Sequence, residues 1–379
     1  MKGSDDEAGV LGKPLSRRHF LEAAIASAVI ASGLGQAACG NNSAEKESSM
    51  TTATLDAKTA IGEPAVETMT GRISTADLGF TLMHEHVIAQ SEGVARAFPR
   101  VWNEQAVLDE AVAALTELKT RGVDSIVDVT VFGISRDVPA LLPVVKKAGI
   151  QVVAATGIYT FDELPGYFRS CSADEMADLF VADIRDGIQG TDVKAAILKC
   201  ATDEPGVTPG VEKVLRAVAR AHLRTGAPIT THTHAATQRG LEQQRIFAEE
   251  GVDLSRVIIG HSGDSDDLDY LTRLLDAGSY IGMDRFGLDF FLPDEKRVAT
   301  VAKLCRMGYA ERMVLSHDAC VYIDLYKLDV IRRVAPNWNY FHIVDDIIPA
   351  LLEAGVSQSE IDVMTRENPR RIFENVGPY

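Results

Sequence analysis

Six residues able to hold a cation or move a proton stand at the ends of five short apolar runs. His84 and His86 close Phe80-Thr-Leu-Met-His-Glu-His86, and Lys199 follows Ala195-Ala-Ile-Leu. His232 follows Ile229-Thr-Thr, His261 follows Val257-Ile-Ile-Gly, and Asp318 follows Val314-Leu-Ser-His. Imidazole and carboxylate groups bind divalent metals, and in a parallel barrel strand ends of this kind meet on one face. Histidines scattered over a surface would not be placed so. His84 and His86, two apart on a predicted strand, point to the same side.

Lys199 needs its own argument. A bare lysine among cations is repelled and loses its proton. The neutral amine can then take up carbon dioxide as a carbamate, an anionic, bidentate group that bridges two divalent ions. The plainer alternative is a barrel lysine held by an aspartate or glutamate.

The elements that must position these groups alternate along the chain. Strands are expected at about 80–86, 125–130, 151–157, 195–201, 228–234, 257–263, 280–284 and 313–319. Between the first two, Val107, Leu108, Ala111, Val112, Leu115 and Leu118 recur at helical spacing, and Gly122 follows as a stop. Helical patterns recur over 138–147, 173–188, 211–224, 241–250, 266–277 and 296–307, with last helices over 345–353 and from 359. Eight such units predict an α/β fold, a (β/α)8 TIM barrel with a binuclear metal site at the C-terminal face of the strands. A doubly wound open sheet is the alternative, but no Gly-rich phosphate loop supports it.

Composition bounds the partners. The 379 residues are 46% hydrophobic, enough for one large core, and the net charge of −16 argues against a nucleic-acid partner. Five widely spaced cysteines without a CxxC pair favour neither a disulfide scaffold nor a thiolate metal site.

The first 39 residues predict a targeting segment. Ser16-Arg17-Arg18-His19-Phe20-Leu21 resembles the twin-arginine export signature, and a weakly apolar, Ala-rich run leads to Cys39. Cys39-Gly-Asn-Asn resembles a lipoprotein cleavage site with the lipid on Cys39, although Gln36 stands where an aliphatic residue is usual. These features imply the twin-arginine machinery as a partner and a periplasmic or cell-surface, lipid-anchored protein; a start at Met50 would give a cytoplasmic form. A polar linker is expected over 40–68 and the (β/α)8 metal-site domain over 69–379.

The motifs together resemble the phosphotriesterase family of the amidohydrolase superfamily over about residues 71–375. Gly79 to His86, Val193 to Thr208 around Lys199, Thr230-Thr-His-Thr-His234, Ile259-Gly-His-Ser-Gly-Asp264, Ser316-His-Asp318 and Glu367-Asn-Pro369 carry the resemblance. It implies that His84, His86 and Asp318 bind a more buried metal, that His232 and His261 bind a more exposed one, and that carboxylated Lys199 bridges them. Zinc is the first expectation; iron, cobalt or manganese suit the same ligands. Asp318 would be the catalytic residue, taking the proton of the attacking hydroxide. A homodimer is also implied. His234 and His317 read as structural neighbours, and His19, His222 and His342 as unremarked.

Gly282-Met-Asp-Arg-Phe-Gly-Leu-Asp289 and Gly157-Ile-Tyr159 are similar to loops of phosphotriesterase-like lactonases. They imply Tyr159 over the metals and Arg285 near a lactone ring; core packing for Tyr159 and an ion pair of Arg285 with Asp284 or Asp289 are the alternatives. The loop from Cys320 to Tyr340 carries Tyr322, Leu325, Tyr326, Trp338 and Tyr340, apolar surface suited to an acyl tail. Leu325 departs from the aromatic expected in lactonases. The first expectation is opening of acyl homoserine lactones or other γ- and δ-lactones, with organophosphate triester hydrolysis as a side activity. The rivals are a dedicated phosphotriesterase, a carboxylesterase or amidase, and an exported metal-containing binding lipoprotein without turnover.

Overall fold

A computed structural model of the chain describes residues 64–161, 163–374 and 377–379. The twin-arginine segment, Cys39 and Met50 lie outside the described residues. An antiparallel hairpin, β1 (Ala65–Thr68) and β2 (Gly71–Ser74), comes first; the sequence reading did not place it. The barrel strands follow as β3 (Thr81–Glu85), β5 (Ser125–Asp128), β6 (Gln151–Gly157), β7 (Ala195–Thr202), β8 (Ile229–Thr233), β9 (Val257–Ile259), β10 (Tyr280–Met283) and β11 (Met313–Leu315). The short β4 (Ile88–Ala89) and β12 (Tyr322–Ile323) pair at the rim.

The eight barrel strands form one parallel sheet in the order β11-β10-β9-β8-β7-β6-β5-β3. Alternate residues such as Val127, Val153, Ala155, Ile197, Ile258 and Val314 make an interior cluster, which Val66 of the hairpin and Phe373 of the last helix join. The opposite residues, Ile126, Val152, Leu198 and Leu315 among them, pack in a second cluster with the surrounding helices. This is the alternation that a TIM barrel requires, with side chains filling the centre.

The helices form where the apolar spacing puts them. In Glu104–Thr120, capped by Asn103, Val107, Ala111, Leu115 and Leu118 make one buried stripe. Each such leucine, fully buried, contributes about 1.5–3 kcal/mol. Ser172 and Glu175 form a reciprocal capping box at the start of Ala173–Arg185.

Two strands end earlier than the apolar runs suggest. β9 stops at Ile259 and β11 at Leu315, because His261 and Asp318 adopt left-handed backbone with φ of 56° and 57°. The chain turns there, and both side chains leave the strand direction. Non-glycine residues rarely hold this conformation; among the described residues only Ser135, Gln189 and Gln238 share it. Gly157 has the opposite duty: a Cβ there would lie 1.9 Å from the Lys199 carbonyl oxygen, so only glycine lets β6 approach β7 beside the lysine.

Candidate metal centre

At the C-terminal ends of the strands, His84, His86, Lys199, His232, His261 and Asp318 line one cavity of about 610 Å3, open solvent at its mouth included. All six side chains that the sequence singled out are therefore brought together. The nitrogen and oxygen atoms of His84, His86 and Asp318 lie within 4.8 Å of one another, as do those of His84, His261 and Asp284, so either set can hold a metal ion. Asp284 was named in advance only as an ion-pair partner for Arg285. The structure gives it different work.

Lys199 lies 1% exposed, its Nζ 2.8 Å from His84 Nε2. A protonated Lys199 can only donate to this nitrogen, which then puts the His84 proton on Nδ1. That Nδ1 lies 3.0 Å from Asp284 Oδ2, yet off the hydrogen-bond direction, and both buried atoms lack a well-aligned partner. Asp284 Oδ1 accepts from His261 Nδ1 at 2.9 Å and from the His261 backbone N–H at 2.8 Å. Both rings thus turn Nε2 lone pairs into the cavity. His86, bonded through Nδ1 to Thr130 Oγ1 at 2.8 Å, turns its Nε2 the same way.

These nitrogens meet a carboxylate. Asp318 Oδ1 lies 3.1 Å from His86 Nε2, and Asp318 Oδ2 lies 3.6 Å from His261 Nε2. Imidazole nitrogens and a carboxylate converging in one buried cavity are the donor set that a divalent cation takes. The electrostatics agree: burial lowers the basicity of His84, His232 and, most strongly, His261, which favours neutral, ligating rings. Burial opposes the Asp318 charge, but His261 and Arg285 outweigh it, and the carboxyl is held well below its ordinary range. The residues present fit a divalent metal pair.

Burial also pulls the Lys199 ammonium down to about 8. His232 stands slightly apart, with Nδ1 3.3 Å from the Tyr159 hydroxyl and Nε2 3.8 Å from Asp203 Oδ2. Asp203 was not foreseen. Burial would raise its pKa, but His232 outweighs that and the carboxyl stays ionised to low pH. His234 bonds Thr237, and His222 bonds Ala227 O and the Tyr379 hydroxyl, both structural contacts.

Arg285 pairs with neither Asp284 nor Asp289. Its Nε donates to Asp318 Oδ2 at 2.9 Å and its Nη1 to Asp264 Oδ2 at 3.0 Å, while Phe291 lies against the guanidinium at 4.8 Å. Of the long loop, Leu325, Tyr326 and Trp338 line the cavity. Tyr322 packs on Trp102 instead, and the Tyr340 hydroxyl bonds the His86 carbonyl.

The phosphotriesterase family model matches residues 64–373, nearly all of the described chain. The protein belongs to the phosphotriesterase family. Among relatives, the "phosphotriesterase homology protein" of Mycobacterium tuberculosis (strain ATCC 25618 / H37Rv) is 53% identical over 324 residues, covering 83% of this chain and 99% of that one. The "aryldialkylphosphatase" of Saccharolobus solfataricus is 46% identical over 303 residues, covering 79% and 96%. The solved structure of the phosphotriesterase from Mycobacterium tuberculosis superposes with a TM-score of 0.82 at 53% identity, over 83% of this chain and 100% of that one. This phosphotriesterase-family chain is thus a hydrolase on a TIM barrel, and its His and Asp clusters are compatible with a binuclear divalent metal site.

Proposed function

We propose that the protein is a metal-dependent lactonase that opens acyl homoserine lactones or other γ- and δ-lactones, with slower hydrolysis of organophosphate triesters. In this reading His84, His86 and Asp318 would hold one ion and His232 and His261 a second, with carboxylated Lys199 serving as a shared ligand. Zinc is the first candidate for both ions. Such a pair supplies Lewis acidity and an activated water.

The protein's own groups then have distinct tasks. Asp318 takes the proton from the attacking water and passes it towards the leaving oxygen. Arg285, which keeps its charge because Asp264 and Asp318 outweigh the cost of burial, orients the ester. Tyr159, whose hydroxyl burial holds in the protonated form, offers a hydrogen bond beside His232.

The observation that carries the reading is the division of the cavity wall. Arg285 and Tyr159 stand beside the ligand cluster, while Ala89, Ile134, Leu288, Phe290, Ile323 and Leu325 make the rest apolar. One polar end and one apolar channel suit a flat ester head with an alkyl tail. The name of the Saccharolobus relative favours a second reading, a dedicated phosphotriesterase.

Side-by-side kcat/KM on a lactone panel and on an aryl dialkyl phosphate decides between them. Lactones should lead, and Arg285→Ala should lower lactone turnover more than phosphotriester turnover, by about 1–3 kcal/mol in barrier. Wild-type preference for the phosphotriester would sink the lactonase assignment. Absence of all turnover in metal-loaded protein would favour a binding role. We also propose export by the twin-arginine route, on the strength of Ser16 to Leu21; replacing Arg17 and Arg18 by lysine should trap the precursor, and unchanged export would refute it.

A further inference from the structure

His342 lies outside the cavity, yet it joins the two loops that wall it. Its Nε2 is 2.7 Å from Asp294 Oδ2 and its Nδ1 is 2.7 Å from Asp346 Oδ2. A neutral ring would aim one lone pair at a carboxylate, so two such contacts require both nitrogens to donate, as the imidazolium does. The residue is 6% exposed.

Asp294 is the residue that closes the first loop. Its carboxylate accepts from the Gly287 backbone N–H at 2.9 Å, and its own N–H donates to Asp289 Oδ1 at 2.9 Å. The ring so formed, from Gly287 to Asp294, carries Leu288, Phe290 and Phe291, all of which line the cavity. The second loop, from Cys320 to His342, supplies Leu325, Tyr326, Ile331 and Trp338 to the same cavity. The two loops touch where Gly287, with φ of 90°, passes Asn337 and Trp338 so closely that a Cβ would lie 2.4 Å from the Asn337 carbonyl oxygen. The other charged groups around this junction are Arg297, 3.8 Å from Asp294, and Asp289. Arg285 is held by Asp264 and Asp318; Asp264 also pairs with Arg297 at 2.8 Å and Phe291 lies 4.8 Å from the guanidinium, so the His342–Asp294 contact reaches Arg285 only through these neighbours.

We propose that His342 is a positioning residue that sets the spacing of the two apolar walls and thereby the preference for substrate tail length. This deepens, and rests on, the reading of the cavity as an ester site with an alkyl channel. The tail is an unbranched alkyl or acyl chain, the class of group that fits between Leu288, Phe290 and Phe291 on one side and Leu325 and Trp338 on the other.

The test is a KM series on the metal-loaded protein, using γ-lactones with tails of about two to ten carbons and, in parallel, dialkyl aryl phosphates of rising chain length. In the wild type KM should fall with length, by up to about fourfold for each fully buried methylene. His342→Ala should flatten that dependence to less than half, with kcat on the shortest tail and metal content unchanged. His342→Gln keeps one donor towards Asp294 and should restore most of the slope. Asp346→Asn, at a side chain 65% exposed, should keep it whole. Equal slopes in the wild type, His342→Ala and His342→Gln would overturn the proposal, as would a wild-type KM indifferent to tail length. If His342→Ala does not fold, the comparison is between wild type and His342→Gln: a shallower slope in the variant supports the proposal and an equal slope overturns it. If lactones are not turned over but phosphates are, the lactonase reading falls, and the slope on the phosphate series still decides the role of His342.

Discussion

Glu85 and His317 face each other across the barrel seam, His317 Nδ1 donating to Glu85 Oε1 at 2.7 Å with both side chains fully buried. The same carboxylate accepts from Ser316 Oγ at 2.8 Å and from the backbone N–H groups of His317 and Ala319 at 3.0 and 2.8 Å. Ser316 Oγ is also bonded by the His84 N–H, and the Asp318 N–H donates to the His84 carbonyl. The strand bearing His84 and His86 is therefore pinned to the turn bearing Asp318 by one side chain between the two histidines.

Replacing that carboxylate exposes the argument to test. Glu85→Gln sets an amide N–H against a site made entirely of donors. The cost should be about 2–4 kcal/mol in stability, read from urea unfolding. A change below about 0.5 kcal/mol would show that the seam does not depend on Glu85.

Asp284→Asn should loosen metal without unfolding the barrel. Asp284 holds His261 by two hydrogen bonds and lies 3.0 Å from His84 Nδ1, and carboxylates behind a ligating histidine are worth about 10- to 100-fold in affinity. Metal loss to a chelator should accelerate accordingly. Retention equal to that of the wild type would mean that packing alone aims the two rings.

Sequence reasoning found the groups that face the cavity and missed those that hold them. His84, Lys199, His232, His261 and Asp318 are legible because each ends an apolar run, a local pattern of period two. Glu85 was in plain view between two histidines, but its partners are more than 230 positions away, and no periodicity reports such a pairing. Asp284 read only as an ion-pair alternative for Arg285, and Asp264 only as the last residue of a motif, for the same reason. The left-handed turns at His261 and Asp318 were also invisible, since the residues before them continue the apolar run. The hairpin at 65–74 went unseen because Glu67, Thr68, Thr70 and Arg72 dilute its alternation.

Lys199 should carry carbon dioxide. Its amine, lowered to about 8 by burial, is substantially neutral at mildly alkaline pH and free to react. Protein reconstituted with a divalent metal and 13C-bicarbonate should give one carbamate carbon resonance, which Lys199→Arg lacks. Wild-type protein that is fully metal-loaded and active without that resonance would refute the bridge.

The His342 contact predicts a direction of pH dependence. Burial works against the imidazolium, but Asp294 and Asp346 outweigh it, and the folded-state pKa is raised above the ordinary 6.5. A raised value means that the stabilisation is complete below 6.5 and fades as pH climbs through the folded-state value. The stability advantage of wild type over His342→Gln should therefore be greatest in mild acid and shrink on the alkaline side. An advantage that grows with pH would show that the ring is neutral in the folded protein.

The left-handed backbone at Asp318 bears on how such a site survives at all. Asp318 occupies a conformation that asparagine tolerates at least as well, so the backbone alone does not explain the carboxylate. What the charge meets is the Arg285 guanidinium, 2.9 Å away. The turn is thus built around an ion pair that stands before any ligand arrives. Stripped of metal, Asp318→Asn should melt a few degrees below the stripped wild type; a variant that melts above it would show that the unliganded carboxylate is strained.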